Sequence, residues 1–595
     1  MTGQNIVITG EGIVSAIGIG KAAVSESLHA LRTGIGTMRY LHSRHKELPV
    51  GEVKLSNDEM KAQLGIDTGK EISRTTLMGM MAVGQAVEEA HLTTCGNLRI
   101  VLISGTTVAG MDITERKIAQ MLEHGITDDS LNHHDCGSCT ADIASHFGLF
   151  SDYTTISTAC SSAANALVLG ADILKAGDAD IVVAGGTEAL SAFHLNGFNS
   201  LMILDHEVCR PFDKTRAGLN LGEGAAYVVL ERADEAKSRG VRIDACLSGY
   251  GNACDAFHQT ASSPEDTGAQ LAMKAALEMA GLNPSDIQWV HAHGTGTPDN
   301  DASETEAIRR VFGNDLPLFS STKGFTGHTT SASGSISTVI SLIAMHEGYV
   351  PKSLGHSVSI DERSIPVDKP IHTELQHVMV NSFGFGGNDA SLILSNPDYI
   401  VDRQAHRIHE NFIADAPIVE AACVTNQSID ALKELKQYVK PMEARRMGKL
   451  MKSTLLTSLR ALEEAGVSMP DAIVTATSWG SMEYSEQLLK QLAEGDDVFK
   501  PTFFMQSTHN TIGSLIAIHL KCHGYNITFT QGERSMEWAM YQARLLLRFG
   551  RCKTVLVGCH DESTPLFNTF LSQMGKEPLP PVNSVAVVLK LKYIL

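Results

Sequence analysis

The segment TTISTACSSAANALVLGADIL (154–174) decides how the rest of the chain reads. A short β-prone run enters a turn of small residues bearing Cys160, and an amphipathic helix pattern follows at once. A cysteine between a strand end and a helix N-terminus meets the positive end of the helix dipole and several free backbone N–H groups. Those lower a thiol pKa, favour thiolate and can cradle an oxyanion. Taken alone, a cysteine is as readily a small buried hydrophobe, so the reading turns on its surroundings.

Outward from this segment, Ile100–Ser104, Ile181–Ala184, Ala226–Leu230 and Val378–Val380 read as buried strands. Ala82–Leu92, Ser162–Ala176, Thr267–Ala280 and Ser331–His346 carry helical periodicity, which makes an α/β pattern. At 595 residues the chain exceeds what one hydrophobic core spans, so two or more domains are expected. A net charge of −19 argues against a nucleic acid or an anionic membrane held by bulk charge. Eleven scattered cysteines suit a reducing compartment. The N-terminal stretch lacks a signal-peptide pattern, and no apolar run approaches the roughly 18 to 20 residues of a membrane helix. A cytoplasmic location and no membrane span are therefore expected.

The chain repeats itself. IASHFGLFSDYTTIST (143–158) aligns without gaps on IAIHLKCHGYNITFTQ (516–531), and ILKAGDADIVVAGGTEA (173–189) on LLRFGRCKTVLVGCHDE (546–562), both at an offset of 373 residues. AVEEA (86–90) meets ALEEA (461–465) at 375. The last third thus reads as a diverged copy of only the first 240 or so residues, joined through the polar stretch Asn396–Ala416. That join is short for a flexible linker, so the copies are expected to pack together.

Three further segments carry chemistry. HAHGTGTPDNDASETEA (291–307) places His293 at a strand end, with Asp301 and Glu304 beyond it; STKGFTGHTTSASG (321–334) sets Lys323 five residues before His328. NSFGFGGNDASLIL (381–394) is a glycine-rich turn entering a strand. The order TACSS, HGTGT, STKxxxGH, NSFGFGG, together with RPFDKTRAGLNLGEGAA (210–226), resembles the β-ketoacyl-acyl-carrier-protein synthases of the thiolase superfamily. The resemblance covers residues 1–397.

That resemblance implies an α/β chain. A thiolase-like five-layer αβαβα unit, 1–397 with halves 1–245 and 246–397, is followed by a half-thiolase-like domain over 412–595. It implies a Cys160 thiolate that accepts an acyl group from a carrier, an oxyanion hole made by the N–H groups of Cys160 and Phe385, and His293 and His328 as donors to the malonyl enolate. Lys323 would pair with an acid, Glu304 foremost, and hold the histidine shell, with Asp301 in the same network. For both acids a solvated turn carboxylate stays an open reading. Gly384, Gly386 and Gly387 would let the backbone approach the substrate, and Phe385 reads either as an acyl gate or as a core aromatic. Asp389 departs from the family's usual amide, which touches the gate's hinge and not the reaction class.

The implied partner is an acidic acyl carrier protein, acyl- or malonyl-loaded, on a basic patch for which Arg210, Arg74, Arg116 and Lys117 are candidates. No cofactor is implied. Cys136-x-x-Cys139 beside His133 and His134 lacks a second ligand pair, so no metal is expected. No G-x-G-x-x-G pattern lies between strand and helix, and residues 381–394 lack the second cysteine of a degradative thiolase. Both histidines are present, unlike the His/Asn ketosynthases.

In the C-terminal copy Glu533 falls opposite Cys160, or Gln531 or Gly532 after a slip; none is a cysteine. The copy resembles chain-length-factor partners, so the chain is expected either to form a homodimer or to carry its own pseudo-partner. The competing class is a non-catalytic scaffold or chain-length partner of another ketosynthase.

Overall fold

The computed structural model describes residues 5–92, 98–125, 129–400, 417–495 and 498–592. The join expected within 396–416 lies for the most part outside the described residues.

Fifteen strands and the short Gly18–Ile19 form one sheet. The first five are β1 (Ile6–Ser15), β2 (Ile100–Gly105), β3 (Asp152–Ile156), β4 (Ile181–Glu188) and β5 (Gly224–Arg232). The next are β6 (Ala245–Cys254), β7 (Trp289–His291), β8 (Leu318–Ser320), β9 (His377–Gly384) and β10 (Asn388–Ser395). The last are β11 (Ile418–Asn426), β12 (Ala472–Ala476), β13 (Tyr525–Phe529), β14 (Thr554–Glu562) and β15 (Val582–Leu591). Their spatial orders are β3-β2-β4-β5-β1, β8-β7-β9-β10-β6 and β13-β12-β14-β15-β11. The same order appears three times, with the same parallel pairings at the first three strands and antiparallel ones at the last two. The internal copy is thus one of three repeats, the middle one too diverged to align by eye.

In the first two repeats the helices Ser162–Ala176 and Ser333–Glu347 lie against each other as the central layer. Small residues (Ala163, Ala164, Gly334, Ser335) allow that close approach. Arg74–Glu89 and Cys136–Phe147 cover one outer face, and Thr267–Ala280 with Pro298–Phe312 cover the other, which completes five layers. The expected helix Ala82–Leu92 begins eight residues earlier, at Arg74. Ser73 caps it by accepting from Thr76 N–H, and the buried Arg74–Glu223 ion pair overrides the weak helix propensity of Thr75 and Thr76.

The third repeat docks on the first through β3, which pairs antiparallel with β13 at Ile156 and Phe529. Ser157 N–H donates to Thr528 O at 2.9 Å and Thr530 N–H to Thr155 O at 3.0 Å. Around this ladder Arg534 reaches Asp152 at 2.6 Å, Tyr541 Oη reaches Asp178 at 2.7 Å and Arg551 reaches the buried Asp172 at 2.9 Å. The strand that leads to Cys160 therefore has no free edge. Among the described residues no helix is long and apolar enough to cross a membrane.

Candidate active site

Strand β3 ends in a tight elbow. Ala159 takes φ +51°, a left-handed conformation that L-residues other than asparagine and aspartate rarely adopt, and the chain then winds through Cys160 into Ser162–Ala176. Ser162 Oγ accepts from Thr158 N–H at 2.9 Å and donates to Ala159 O at 2.6 Å, which fixes the turn. The third repeat copies this elbow: Gly532 has φ +54°, and Ser535 Oγ accepts from Gln531 N–H at 2.8 Å and donates to Gly532 O at 2.6 Å. That geometry removes the slip left open by sequence. Glu533, exposed, stands where Cys160 stands.

Cys160 is 5% exposed, with its Sγ 3.1 Å from His328 Nε2. Cys160, His293 and His328 each offer an atom to a cluster no wider than 4.8 Å, enough to surround one small oxygen. Lys323 Nζ donates to the His293 carbonyl and faces His293 Nδ1 at 3.4 Å. With a donor at Nδ1, the ring's own proton sits on Nε2, the nitrogen left for a ligand. Glu304 accepts from the N–H groups of His293 and Gly294 at 2.8 and 2.7 Å, and Asp301 from Phe212 and Gly296 at 2.6 and 3.1 Å. Both acids are fully buried braces of the HGTGT turn, which excludes the solvated-turn reading. Lys323 and Glu304 form no ion pair within 4.0 Å, since Lys323 Nζ is turned to the His293 carbonyl, but Glu304 is the largest charge acting on Lys323, so the expected pairing holds only at longer range.

The expected lowering of the thiol pKa by backbone N–H groups is present but outweighed by burial. Burial pushes Cys160 up to about 11, against the pull of Lys323 and of the N–H groups of Phe385 and Cys160. Burial and then Lys323 hold His293 and His328 well below the usual imidazole range, so both are neutral at pH 7. Burial also brings Lys323 down to about 8 and Glu304 up to about 7. The resting pair is thus thiol and imidazole, with the proton still on sulfur. Inactivation by iodoacetamide is accordingly expected to accelerate about tenfold per pH unit between pH 7 and 9. A rate that levels off below about pH 8, as for a thiolate poised near neutrality, would contradict this.

A cavity of about 260 Å³ runs from Cys160, His293 and His328 to the surface beside Met202 and Pro298. The loop Gly384–Gly387 forms one wall. Gly384 lies against the Cys160 backbone, where a Cβ would come within 3.2 Å of Cys160 N, and Gly386 and Gly387 take φ of +83° and +73°. Phe385 stacks on Phe198, centroids 5.6 Å apart, and a smaller cavity of about 40 Å³ is lined by Val108, Met111, Phe193, His194, Trp479, Phe504 and His509. Phe504, from the third repeat, packs edge-on to Phe198 at 5.6 Å.

Asp389 is buried beside Asp255 and Asp266, and one oxygen each of Asp389 and Asp266 finds no partner. Burial and then the Asp266 and Asp255 carboxylates push the Asp389 carboxyl well above the usual carboxylate range, and burial and Asp255 push Asp266 the same way. An unfolded aspartate ionises near 3.9. Above that pH the folded chain therefore binds more protons than the unfolded one, and stability falls as pH rises. Asp389→Asn takes away its share of this dependence: its Tm should exceed the parent's at pH 8, and the gain should shrink toward pH 4. An equal shift at both pH values would refute the raised Asp389 pKa.

Of the docking candidates, none lines the Cys160 cavity. Arg74 is buried, its guanidinium held by Glu223, Val53 O, Leu55 O and Asn57, so it is no surface cation. Arg210 is held by Glu207 at 2.6 Å and Lys117 by Glu71 at 2.7 Å; Arg116 stands exposed on the helix Met111–His124. Cys136 and Cys139 are buried on the helix Cys136–Phe147, their thiols pushed up by burial.

Sequence reading missed Glu188, which accepts from Thr106, Thr107 and Val108 and from Thr330 beside the second elbow. Its signal was present: Asp561, at the repeat offset, binds Thr477, Ser478 and Trp479 in the same way.

Comparison with known proteins agrees. Residues 3–236 match the beta-ketoacyl synthase N-terminal domain and residues 244–357 its C-terminal domain; residues 421–592 match an N-terminal domain of beta-ketoacyl synthase again. The 3-oxoacyl-[acyl-carrier-protein] synthase 2 of Staphylococcus aureus (strain N315) is 30% identical over 407 residues, covering 66% of this chain and 98% of that protein. The mitochondrial 3-oxoacyl-[acyl-carrier-protein] synthase of Arabidopsis thaliana is 39% identical over 254 residues, 40% of this chain and 55% of that protein. Among solved structures, the ishigamide ketosynthase/chain length factor is 30% identical with TM-score 0.62, over 66% of this chain and 99% of that one. The PfaC keto synthase–chain length factor shares the fold across 99% of this chain and 78% of its own, with TM-score 0.78 at 18% identity. The chain thus belongs to the β-ketoacyl synthase family of acyltransferases, and it carries a second ketosynthase N-terminal domain behind the first synthase unit.

Proposed function

We propose that this chain condenses a malonyl group on an acyl carrier protein with an acyl group held on Cys160, releasing CO2 and a 3-oxoacyl thioester, in fatty-acid or polyketide assembly. The observation that carries this reading is the 3.1 Å contact of Cys160 Sγ with His328 Nε2, inside the compact cluster completed by His293. In the first step Cys160 attacks the acyl-carrier carbonyl as its proton passes to His328 and on to the departing carrier thiol. The N–H groups of Cys160 and Phe385, both of which pull the Cys160 thiol pKa down, hold the oxyanion. In the second step the malonyl thioester loses CO2, and its enolate oxygen takes hydrogen bonds from His293 Nε2–H and from His328, whose ring, now that Cys160 is acylated and has no proton to give it, carries its single proton on Nε2. The enolate carbon then attacks the acyl-Cys160 carbonyl, the C–S bond breaks, and the freed thiolate takes one proton from solvent. Lys323, through the His293 carbonyl and Nδ1, keeps that ring's Nε2 proton toward the substrate.

We assign the synthase to 1–397, with halves 1–245 and 246–397, and read 412–595 as a chain-length-factor-like partner within the same chain. Supporting this are the occupied edge of β3, the exposed Glu533 at the nucleophile's place, and Phe504, which lines the smaller cavity and packs on Phe198 of the larger one. Phe504→Ala opens that contact, and the longest products should gain at least one two-carbon unit; an unchanged product profile would remove the third repeat from length control. The reaction itself is tested by supplying malonyl- and acyl-carrier proteins and following CO2 and 3-oxoacyl-carrier by mass spectrometry. Release of CO2 without the condensed product would defeat the reading.

A further inference from the structure

The loop that faces Cys160 is strapped to the third repeat. Asn510 Nδ2 donates to Phe385 O at 2.7 Å and to Asn388 Oδ1 at 2.7 Å. Two acceptors on one nitrogen fix the amide's orientation, since only the NH2 end has two protons to give. Its Oδ1 is left buried and unpartnered, which shows that both contacts are made at a cost to the amide's own satisfaction. Ser514 Oγ reaches Asn388 Oδ1 at 3.3 Å and lies so close that a Cβ on Gly386 would meet it at 2.1 Å. Asn388 Nδ2 in turn donates to Asn526 O at 3.2 Å and Asn526 Oδ1 at 3.1 Å. The first unit adds ties of its own: Gly386 N–H to Gln259 O at 2.7 Å, Asp255 N–H to Gly387 O at 2.8 Å and the Cys254 thiol to Gly386 O at 3.6 Å, none of them to Phe385 O.

Two residues of this loop have left-handed φ, and glycine backbone is the least restrained there is, so its geometry is set by what holds it, and at Phe385 O that holder is Asn510. The N–H of Phe385 must meet a developing oxyanion within a few tenths of an ångström to be effective. We propose that Asn510 is a positioning residue for the condensation: from the third repeat it clamps Phe385 O and Asn388, and so holds the Phe385 N–H on Cys160. The synthase's oxyanion hole is then completed by a unit that has no nucleophile of its own. This inference rests on the condensing-enzyme reading above.

The test uses the full chain with Asn510→Leu, and with Asn510→Asp as an equal-volume variant that turns both donors into acceptors. Steady-state condensation is measured with acyl- and malonyl-carrier proteins, alongside Tm. Oxyanion stabilisation acts only in the transition state, so kcat should fall about tenfold or more with the acyl-carrier KM unchanged. Tyr541→Phe, which removes a contact of the same interface away from the loop, should keep the parental kcat. If both Asn510 variants melt lower but retain kcat within about twofold, the contact is structural only and the proposal is overturned. A parent enzyme that never acylates Cys160 would instead overturn the condensing-enzyme reading.

Discussion

Cys160→Ala should lower 3-oxoacyl-carrier formation by on the order of 10⁴-fold or more, because the acyl group then has no thiol to occupy beside the histidines. The fold should barely notice. One sulfur is removed from a buried elbow whose shape is set by Thr158, Ala159 and Ser162, at a cost of about 1 kcal/mol. Thermal unfolding near that of the parent, together with lost condensation, separates chemistry from stability. Activity within tenfold of the parent would mean that the acyl group rides elsewhere, and none of the other described cysteines lies near both histidines.

Arg551→Ala is the second large effect, this time on stability. Arg551 in the third repeat reaches Asp172, which is 0% exposed on the helix that follows Cys160, and its guanidinium also lies over Tyr250. Tyr250 Oη donates to the same carboxylate at 2.5 Å. Removing the guanidinium leaves a buried carboxylate with one neutral donor, a loss of about 3 kcal/mol. Arg551→Lys should lose less, because the charge remains although the planar fork does not. The readout is Tm in matched buffers. A Tm within about one degree of the parent would show that the third repeat is not anchored through Asp172.

How much of this was legible in the sequence depends on whether the cause was local. The elbow segment, the two histidines and the glycine loop announce themselves because each motif needs particular residues at fixed short spacing, and the structure places all of them around one cavity. The copy behind residue 416 was legible at a constant offset; the middle repeat was not, because only its strand order survives. Electrostatics was misread wherever desolvation decides. The helix end at Cys160 suggests a thiolate, yet full burial outweighs the pull of Lys323 and the N–H groups. Arg74 looks like any surface cation in a string of letters, and only Glu223, 149 residues away, makes it a core residue. The same holds for Glu304, whose expected partner Lys323 turns to the His293 carbonyl instead. Asn510 carries no motif, because its role exists only once the third repeat has docked on the first.

The central claim is that Cys160 carries the acyl group and gives it up to a malonyl-derived carbon. Incubating the chain with acyl-carrier protein alone, then digesting it for peptide-level mass spectrometry, tests this most directly. The expected result is an acyl mass on the Cys160 peptide only, discharged as 3-oxoacyl-carrier once malonyl-carrier is added. An unmodified Cys160, or an acyl group that malonyl-carrier cannot remove, would contradict it.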